Sequence, residues 1–147
     1  MLLLGEMGGG KTTFTRGVLE GLGHPDPWEV ASPTYALHHR YLDARVPVDH
    51  LDLYRTEGGP ELLVQGLLDP LEDPESVCLV EWAERLGRDR PPTCLALTFV
   101  HLGENRRLLD VSVHGRGAAH LLSWFRTPAW MRSRSRESEG DGPGEKD

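Results

Sequence analysis

The sequence predicts a single three-layer α/β domain with a mixed β-sheet. Apolar runs of strand length alternate with helical patterns in the first part of the chain, and two later segments show the period-two alternation of an antiparallel pair. The chain has 147 residues, of which 38% are hydrophobic, so it can bury a substantial core. A second full domain is not expected.

The first half of the chain is predicted to contain one helix and three strands. Residues 2–4 are predicted as a buried strand, and residues 12–22 have a helical pattern that Gly23 closes. Residues 36–42 and 46–51 are two extended segments that are partly β-branched or aromatic and are separated by a short turn. We expect these two segments to form a hairpin.

The second half is predicted to contain a short helix, a buried strand and a hairpin. Residues 60–64 suit a helix with proline in its first turn, and residues 77–80 form an apolar run that ends at Glu81. Residues 95–101 and 107–113 alternate with period two around a Gly-Glu-Asn turn, which indicates an antiparallel pair.

The C-terminal end differs in composition from the rest of the chain. Residues 118–125 are predicted as a final short helix. Arg, Ser, Glu, Gly and Pro dominate residues 127–147, so this segment is predicted to be a disordered tail. The folded domain is therefore expected to span residues 1–126.

Composition disfavours several classes of function. The formal net charge of -7 and the pI near 5.5 disfavour broad electrostatic binding to nucleic acid or to an anionic membrane, so any RNA connection is expected to run through a partner. Cys78 and Cys94 lie in apolar runs without the paired spacing of a zinc site and are predicted to be reduced core residues. Because both cysteines are predicted to be reduced, we expect a cytoplasmic location; no apolar run approaches the length of a membrane span.

The most specific motif lies between the first strand and the first helix. Residues 5–12, GEMGGGKT, fit the phosphate-binding pattern G-x-x-x-x-G-K-[ST]. In this pattern, glycines allow backbone N–H groups to converge on phosphate oxygens, the lysine bridges the outer phosphates, and the hydroxyl binds magnesium. The N-terminus of the helix adds a partial positive charge. The sequence therefore predicts a nucleoside triphosphate site in a fold like that of the P-loop NTPases.

Three polar clusters are candidates for the groups that act on the phosphate. Glu81 ends a buried strand, where it suits a magnesium ligand, a group that orients water, or the acidic start of a helix. Asp52 suits the outer shell of a metal and Arg55 the charge of a transition state, although both also fit ordinary solvated charges. His50 is expected to be packed or exposed rather than catalytic. Residues 32–35, SPTY, fit either a switch that senses phosphate or a Ser-Pro turn.

Taken in order, these motifs resemble the TsaE (formerly YjeE) family over residues 2–113. The resemblance rests on GEMGGGKTTFTRG at 5–17, Leu-Gly at 22–23, SPTY at 32–35, HLDLYR at 50–55, Glu-Leu and then Gly within 61–66, and VEW at 80–82. This family supplies the bacterial ATPase subunit of tRNA threonylcarbamoyladenosine synthesis. The resemblance implies a cytoplasmic ATPase, slow alone, that uses ATP and Mg²⁺ and acts on a TsaB–TsaD-type heterodimer. Its contact with tRNA would be indirect, through that complex, and it would not itself transfer the threonylcarbamoyl group.

The resemblance also implies roles for individual residues. The residues that would cradle the phosphates are Gly8, Gly9, Gly10, Lys11, Thr12 and Thr13. Thr12 and Glu81 would ligate magnesium, and Asp52 would assist at the metal or at the attacking water. Thr34 would be the switch residue, and Trp82 would lie beside the nucleotide or pack in the core. Lys11 would neutralise phosphate charge during catalysis, while the choice between Asp52 and Glu81 as metal ligand or water-orienting group stays open.

The sequence departs from the family pattern at two places. Family members usually have a helix and a connecting segment before the first strand, part of which helps to enclose the base, whereas this sequence starts at the strand. We expect either that the start codon is assigned too late or that base binding is compromised. In the last hairpin, some relatives have a basic residue after the glycine, whereas Glu104 follows Gly103 here. Neither Arg106 nor Arg107 is assigned to ATP.

Other classes of nucleotide-binding protein fit the sequence less well. A GTPase needs an N-K-x-D segment to read guanine, whereas Asn105 is the only asparagine and is not followed by lysine. A small-molecule P-loop kinase needs an acceptor pocket and an arginine-rich lid, for which residues 85–90 are the one weak candidate. A nucleotide-gated binding module, in which ATP orders residues 32–35 and 50–55, would not require hydrolysis.

Overall fold

The computed structural model describes residues 1–115, in which six strands alternate with short helices. The strands are β1 (Leu2–Gly5), β2 (His38–Tyr41), β3 (Val48–Asp52), β4 (Val77–Glu81), β5 (Cys94–Gly103) and β6 (Arg106–His114). The helices are α1 (Lys11–Gly21), α2 (Pro60–Val64) and α3 (Asp69–Glu72), with two 3-10 helices, Pro27–Glu29 and Ala83–Asp89. Within residues 1–115, no helix has both the length and the apolar character needed to cross a membrane. The helix expected at 118–125, the tail expected at 127–147 and the domain boundary at 126 lie outside the described residues.

The strands form one mixed sheet in the order β2-β3-β4-β1-β5-β6. The four central strands are parallel to one another, whereas β2 and β6 pair antiparallel at the two edges. The carboxyl ends of the parallel strands therefore lie along the same side of the sheet. This topology confirms the predicted α/β class and the mixed sheet.

Helices cover both faces of the sheet and produce three layers. On one face, Leu19 of α1 packs with Val48 of β3 and Leu79 of β4. On the other face, Leu62 of α2 and Leu86 of the second 3-10 helix pack with side chains of β1, β3 and β4. All five side chains are at most 1% exposed. Burying a leucine or valine to this extent stabilises the fold by about 1.5–3 kcal/mol per side chain.

The elements predicted within residues 1–115 are present, with shifts of one or two residues at their ends. The hairpin predicted from residues 36–42 and 46–51 is β2 paired with β3. β2 begins only at His38 because Leu37 has a φ of 64°, which interrupts the extended backbone. The helix predicted at 60–64 is α2, and the second predicted hairpin is the β5–β6 pair.

Two short helical turns have no counterpart in the sequence prediction. They are α3, with four residues, and the 3-10 helix Pro27–Glu29, with three. A single turn is too short to show an apolar period, and proline near its start is the only local signal. The segment after Glu81 is a 3-10 helix with a break at Gly87, where φ is 51°.

The two cysteines lie in the layer between the sheet and α2. Both are free thiols, and Cys94 belongs to the buried cluster against which Cys78 packs. Burial raises the pKa of Cys78 from 9.0 to about 12. These observations agree with the prediction that both are reduced core residues.

Candidate nucleotide site

The carboxyl ends of three strands, β1, β3 and β4, meet the N-terminus of α1 and enclose a cleft of about 360 Å³. The cleft is lined by Met7, Gly8, Gly9, Gly10, Lys11, Thr12, Thr13, Ser32, Thr34, Asp52, Tyr54, Glu81 and Trp82. Open α/β sheets bind their ligands at this kind of position. Every residue that the sequence analysis assigns to nucleotide or metal therefore lines one cleft.

The loop between β1 and α1 depends on glycine at both of its ends. At Gly5, φ is 124°, and a Cβ atom would lie 2.5 Å from the carbonyl oxygen of Phe99. Gly10 precedes α1 with a φ of 107°, and no side chain caps this helix. The first N–H groups of a helix have no partner within the helix, so here they are available to an anion. This backbone suits a bound phosphate.

The ammonium group of Lys11 is held inside the cleft, where the side chain is only 4% exposed. Nζ donates hydrogen bonds to the carbonyl oxygens of Gly5 at 2.7 Å and Glu6 at 2.8 Å. Burial lowers the pKa of Lys11 below its ordinary value, and the nearby carboxylate of Glu81 partly opposes this shift. A phosphate oxygen would stabilise this buried cation more strongly than neutral carbonyls do.

Trp82 forms one wall of the cleft and covers the lysine. Nζ of Lys11 lies 4.2 Å from the centre of the Trp82 ring, which is within cation–π distance. The ring also lies against Tyr54, with the two centroids 4.9 Å apart. The Trp82 backbone has a φ of 57°, a conformation that is unusual for an aromatic residue and is frequent at functional sites. Trp82 also packs on the core, so both of the roles considered for it are compatible with its position.

Glu81 connects the phosphate loop to the centre of the sheet. Its Oε2 accepts a hydrogen bond from the hydroxyl of Thr12 at 3.1 Å. Its Oε1 lies 2.9 Å from Nε2 of His50 on the neighbouring strand. The carboxylate is therefore adjacent to the hydroxyl that the phosphate-loop pattern assigns to magnesium.

Asp52 lies beside Glu81 and connects the cleft to residues 32–35. The two acids are register partners at the ends of β3 and β4. Oδ2 of Asp52 accepts hydrogen bonds from the hydroxyls of Ser32 and Thr34, the latter at 2.7 Å. Oδ1 accepts one from the backbone N–H of Tyr54 at 2.9 Å. The carboxylate thus holds residues 32–35 against the cleft.

Two arginines considered in the sequence analysis lie outside the cleft lining. The exposed guanidinium of Arg55 stacks over the ring of Tyr35, 4.2 Å from its centre, so the suggested transition-state role has no geometric support. Arg107 donates to carbonyl oxygens of its own hairpin turn and, at 3.5 Å, to that of Gly8. This contact attaches the β5–β6 turn to the phosphate loop.

His50 is packed in the interior, which is one of the two positions expected for it, but its contact with Glu81 was not predicted. It is fully buried, and its ring contacts Glu81 directly. The available signal was the period of two along β3, which places His50 and Asp52 on the same face of the strand. The local pattern does not show that β4 pairs with β3 and places Glu81 beside His50.

The polar groups of the cleft include oxygen donors of the kind that magnesium takes when it is bound to a nucleotide. Within residues 1–115, no three His, Cys, Asp or Glu side chains are grouped so that they could hold a metal ion. Magnesium usually takes one or two carboxylates and completes its shell with phosphate oxygens and water. Thr12, Glu81 and the adjacent Asp52 offer that set of oxygen donors.

Comparison with known proteins identifies the family. The model of the family described as Threonylcarbamoyl adenosine biosynthesis protein TsaE matches residues 1–109. The tRNA threonylcarbamoyladenosine biosynthesis protein TsaE of Haemophilus influenzae is 45% identical over 123 residues, covering 84% of this chain and 75% of that protein. The protein of the same name from Bacillus subtilis is 36% identical over 115 residues, covering 78% of this chain and 70% of the relative.

A solved structure agrees with this result. The crystal structure of Bacillus subtilis YdiB superimposes with a TM-score of 0.61 and 29% identity, covering 84% of this chain and 73% of that one. The likeness therefore extends from the sequence motifs to the fold. Because a family model and relatives of substantial identity both match most of its length, the chain belongs to the TsaE family of tRNA threonylcarbamoyladenosine biosynthesis proteins.

Proposed function

We propose that this chain is a Mg²⁺-dependent ATPase that serves as an accessory subunit in tRNA N6-threonylcarbamoyladenosine modification. Membership of the TsaE family supplies the pathway. The observation that supports the chemistry is the convergence of Lys11, Thr12 and Glu81 in the cleft behind a glycine-rich loop. The same three types of group bind phosphate and magnesium in P-loop proteins.

Lys11 and the start of α1 bind the phosphates in this proposal. The ammonium exchanges its two carbonyl acceptors for oxygens of the β- and γ-phosphates, and the backbone N–H groups of Gly8 to Thr13 surround them. Lys11 then stabilises negative charge that spreads over the γ-phosphate oxygens in the transition state. When bound, Mg²⁺ neutralises further charge on these oxygens.

The two acids have different surroundings, and we assign them different roles on that basis. Glu81 contacts the Thr12 hydroxyl, so these two residues would hold the metal directly. Asp52 is engaged by residues 32–35, which suits a group that couples this segment to the metal's outer shell. Each carboxylate oxygen accepts about two hydrogen bonds, and Oδ1 of Asp52 accepts only that of Tyr54 within the described residues. The second position on Oδ1 is the one that orients the attacking water.

The reaction that follows is hydrolysis without a covalent intermediate. The water oxygen forms a bond to the γ-phosphorus, the bond from that phosphorus to the bridging oxygen breaks, and ADP leaves. The proton of the water passes through the Asp52 carboxylate to solvent or phosphate.

The proposed partner is a TsaB–TsaD-type heterodimer in the cytoplasm, and tRNA is reached only through that complex. The net charge of -7 supports an indirect role, because an acidic chain has no general attraction for the phosphate backbone of RNA. ATP turnover on this subunit would then sustain the activity of the partner that modifies the tRNA.

A nucleotide-gated binding module is the second candidate, and one observation favours it. Asp52 accepts hydrogen bonds from the hydroxyls of Ser32 and Thr34, so a nucleotide that engages Asp52 or Thr34 would change the position of residues 32–35, of which Tyr35 is exposed. Glu81→Gln separates the two functions, since partner activation that survives the loss of hydrolysis would mean that binding is sufficient. The small-molecule kinase has weaker support, because the cleft lining within residues 1–115 contains Lys11 but no arginine.

Phosphate release from Mg-ATP and Mg-GTP tests the proposal, with and without the TsaB–TsaD heterodimer. Lys11→Ala is the blank, because it removes the cation that the proposal assigns to the phosphates. We expect release that is selective for ATP, increases with the heterodimer and is absent from the variant. Equal release by the wild type and the Lys11→Ala variant would refute the assignment of the cleft, and transfer of phosphate to a metabolite would favour the kinase.

A further inference from the structure

One buried side chain contacts the proposed metal ligand but has no part in the chemistry described above. His50 is 0% exposed, and its Nε2 lies 2.9 Å from Oε1 of Glu81. An ionised carboxylate only accepts hydrogen bonds, so Nε2–H is the donor. The other oxygen of Glu81 accepts the hydroxyl proton of Thr12, so His50 and Thr12 hold the two ends of one carboxylate.

The sheet brings these groups together. His50 is the register partner of Leu79 on β4, two residues before the paired acids Asp52 and Glu81. Alternate residues of a strand point to the same face, so His50 lies directly behind Glu81 on the side that carries α1. Both His50 and its register partner Leu79 are 0% exposed, so the imidazole lies in the interior of the fold.

A histidine at this position has a cost that an apolar residue would avoid. Its Nδ1 is buried and has no hydrogen-bond partner among the described residues. Burying an unpaired polar atom costs about 1–3 kcal/mol, so packing alone would favour leucine or methionine here. The contact that explains an imidazole at this position is the one with Glu81.

We propose that His50 is a positioning residue that holds the Glu81 carboxylate in the rotamer needed to bind Mg²⁺ together with Thr12. This inference rests on the proposed function. A glutamate side chain has several rotatable bonds, and a fixed donor on one oxygen directs the other toward the phosphate loop. Replacing a group that orients a metal ligand in this way typically lowers metal affinity or activity by about 10–100-fold.

The test compares His50→Gln with His50→Met in the full chain. The two replacements have similar length and volume, but only glutamine offers an N–H group near the position of the imidazole Nε2. Binding of a fluorescent ATP analogue is measured as a function of Mg²⁺ concentration and in EDTA, and kcat and KM are measured alongside. Melting temperatures verify that both variants fold.

We expect the Mg²⁺ concentration that gives half of the Mg²⁺-dependent gain in nucleotide binding to be about 10–100 times higher for His50→Met than for the wild type. For His50→Gln this concentration should stay within about threefold of the wild-type value. Binding in EDTA should be unchanged in both, because Lys11 and the loop remain intact. A wild-type Mg²⁺ response in His50→Met would overturn the inference, as would equal losses in both variants that extend to EDTA. Failure of the wild type to bind any nucleotide would instead refute the proposed function, and the inference with it.

A measurement on the wild type applies even if His50→Met does not fold. The ring N–H proton of His50 is followed by NMR while Mg²⁺ is added to the nucleotide complex. A carboxylate that takes up a cation becomes a weaker acceptor, so this resonance should shift with Mg²⁺ and not with nucleotide alone. If the chemical shift of this proton does not change when Mg²⁺ is added, the inference is overturned.

Discussion

The bond between Thr34 and Asp52 should be one of the larger single contributions to the order of residues 32–35. Its strength is accessible by a double-mutant cycle with Thr34→Val, Asp52→Ala and the double variant. Valine has nearly the shape of threonine and removes only the hydroxyl, while alanine removes the acceptor. The cycle isolates the energy of the pair from the separate effects of each replacement.

The geometry determines the expected magnitude. The hydroxyl oxygen of Thr34 lies 2.7 Å from Oδ2 of Asp52, and the aspartate is only 2% exposed. A hydrogen bond to a charged group is worth about 1.5–3 kcal/mol, and burial limits its screening by solvent. We expect Thr34→Val to cost about that amount and Asp52→Ala to cost more, because it also removes the acceptor of Ser32 and of the Tyr54 N–H. The coupling energy should be about 1–2 kcal/mol.

Urea unfolding at neutral pH measures the four free energies, and hydrogen exchange of residues 32–35 shows whether the loss is local. Thr15→Val is the matched control, because the Thr15 hydroxyl is buried without a hydrogen-bond partner among the described residues. The same replacement should there be neutral or stabilising by up to about 1 kcal/mol. If the double variant loses the sum of the two single losses in unfolding free energy to within about 0.5 kcal/mol, Thr34 and Asp52 are not coupled and the reasoning is refuted.

Further predictions concern the loop, a thiol and the buried lysine. Gly5→Ala should destabilise the fold by about 2–4 kcal/mol in urea unfolding, because φ is positive and the new Cβ would lie 2.5 Å from the carbonyl oxygen of Phe99. Gly8→Ala is the control: φ is again positive but the Cβ meets nothing within 4 Å, so it should cost only about 1–2 kcal/mol. The pKa of Cys78 is raised from 9.0 to about 12, so its thiolate fraction is smaller than in the unfolded chain and alkylation at pH 8 should be about a thousandfold slower. The free energy of unfolding should fall as the pH rises above 9, and this fall should be absent from Cys78→Ala. Burial lowers the pKa of Lys11 from 10.5, so between the lowered pKa and 10.5 the unfolded chain binds more protons than the native state. Over that pH interval the free energy of unfolding of the wild type should therefore rise relative to that of Lys11→Met.

The elements of the fold were predictable because their signals are local. β-Branched and aromatic residues around a short turn identified the first hairpin, period-two alternation identified the second, and a proline in the first turn identified α2. The turns that sequence analysis missed, α3 and Pro27–Glu29, are too short to show a period. The shifted start of β2 reflects the positive φ of Leu37, which no propensity of leucine indicates.

The sequence by itself determined the phosphate loop, the strand ends that carry Asp52 and Glu81, and the family, because motif spacing is set covalently along the chain. Only the tertiary structure decided which groups meet. Glu81 contacts a hydroxyl 69 residues away and a histidine 31 residues away, and Asp52 holds a threonine 18 residues away. Strand periodicity gives the face on which a side chain lies but not the neighbouring strand, and that neighbour follows from the order in which the strands pair to bury their apolar faces.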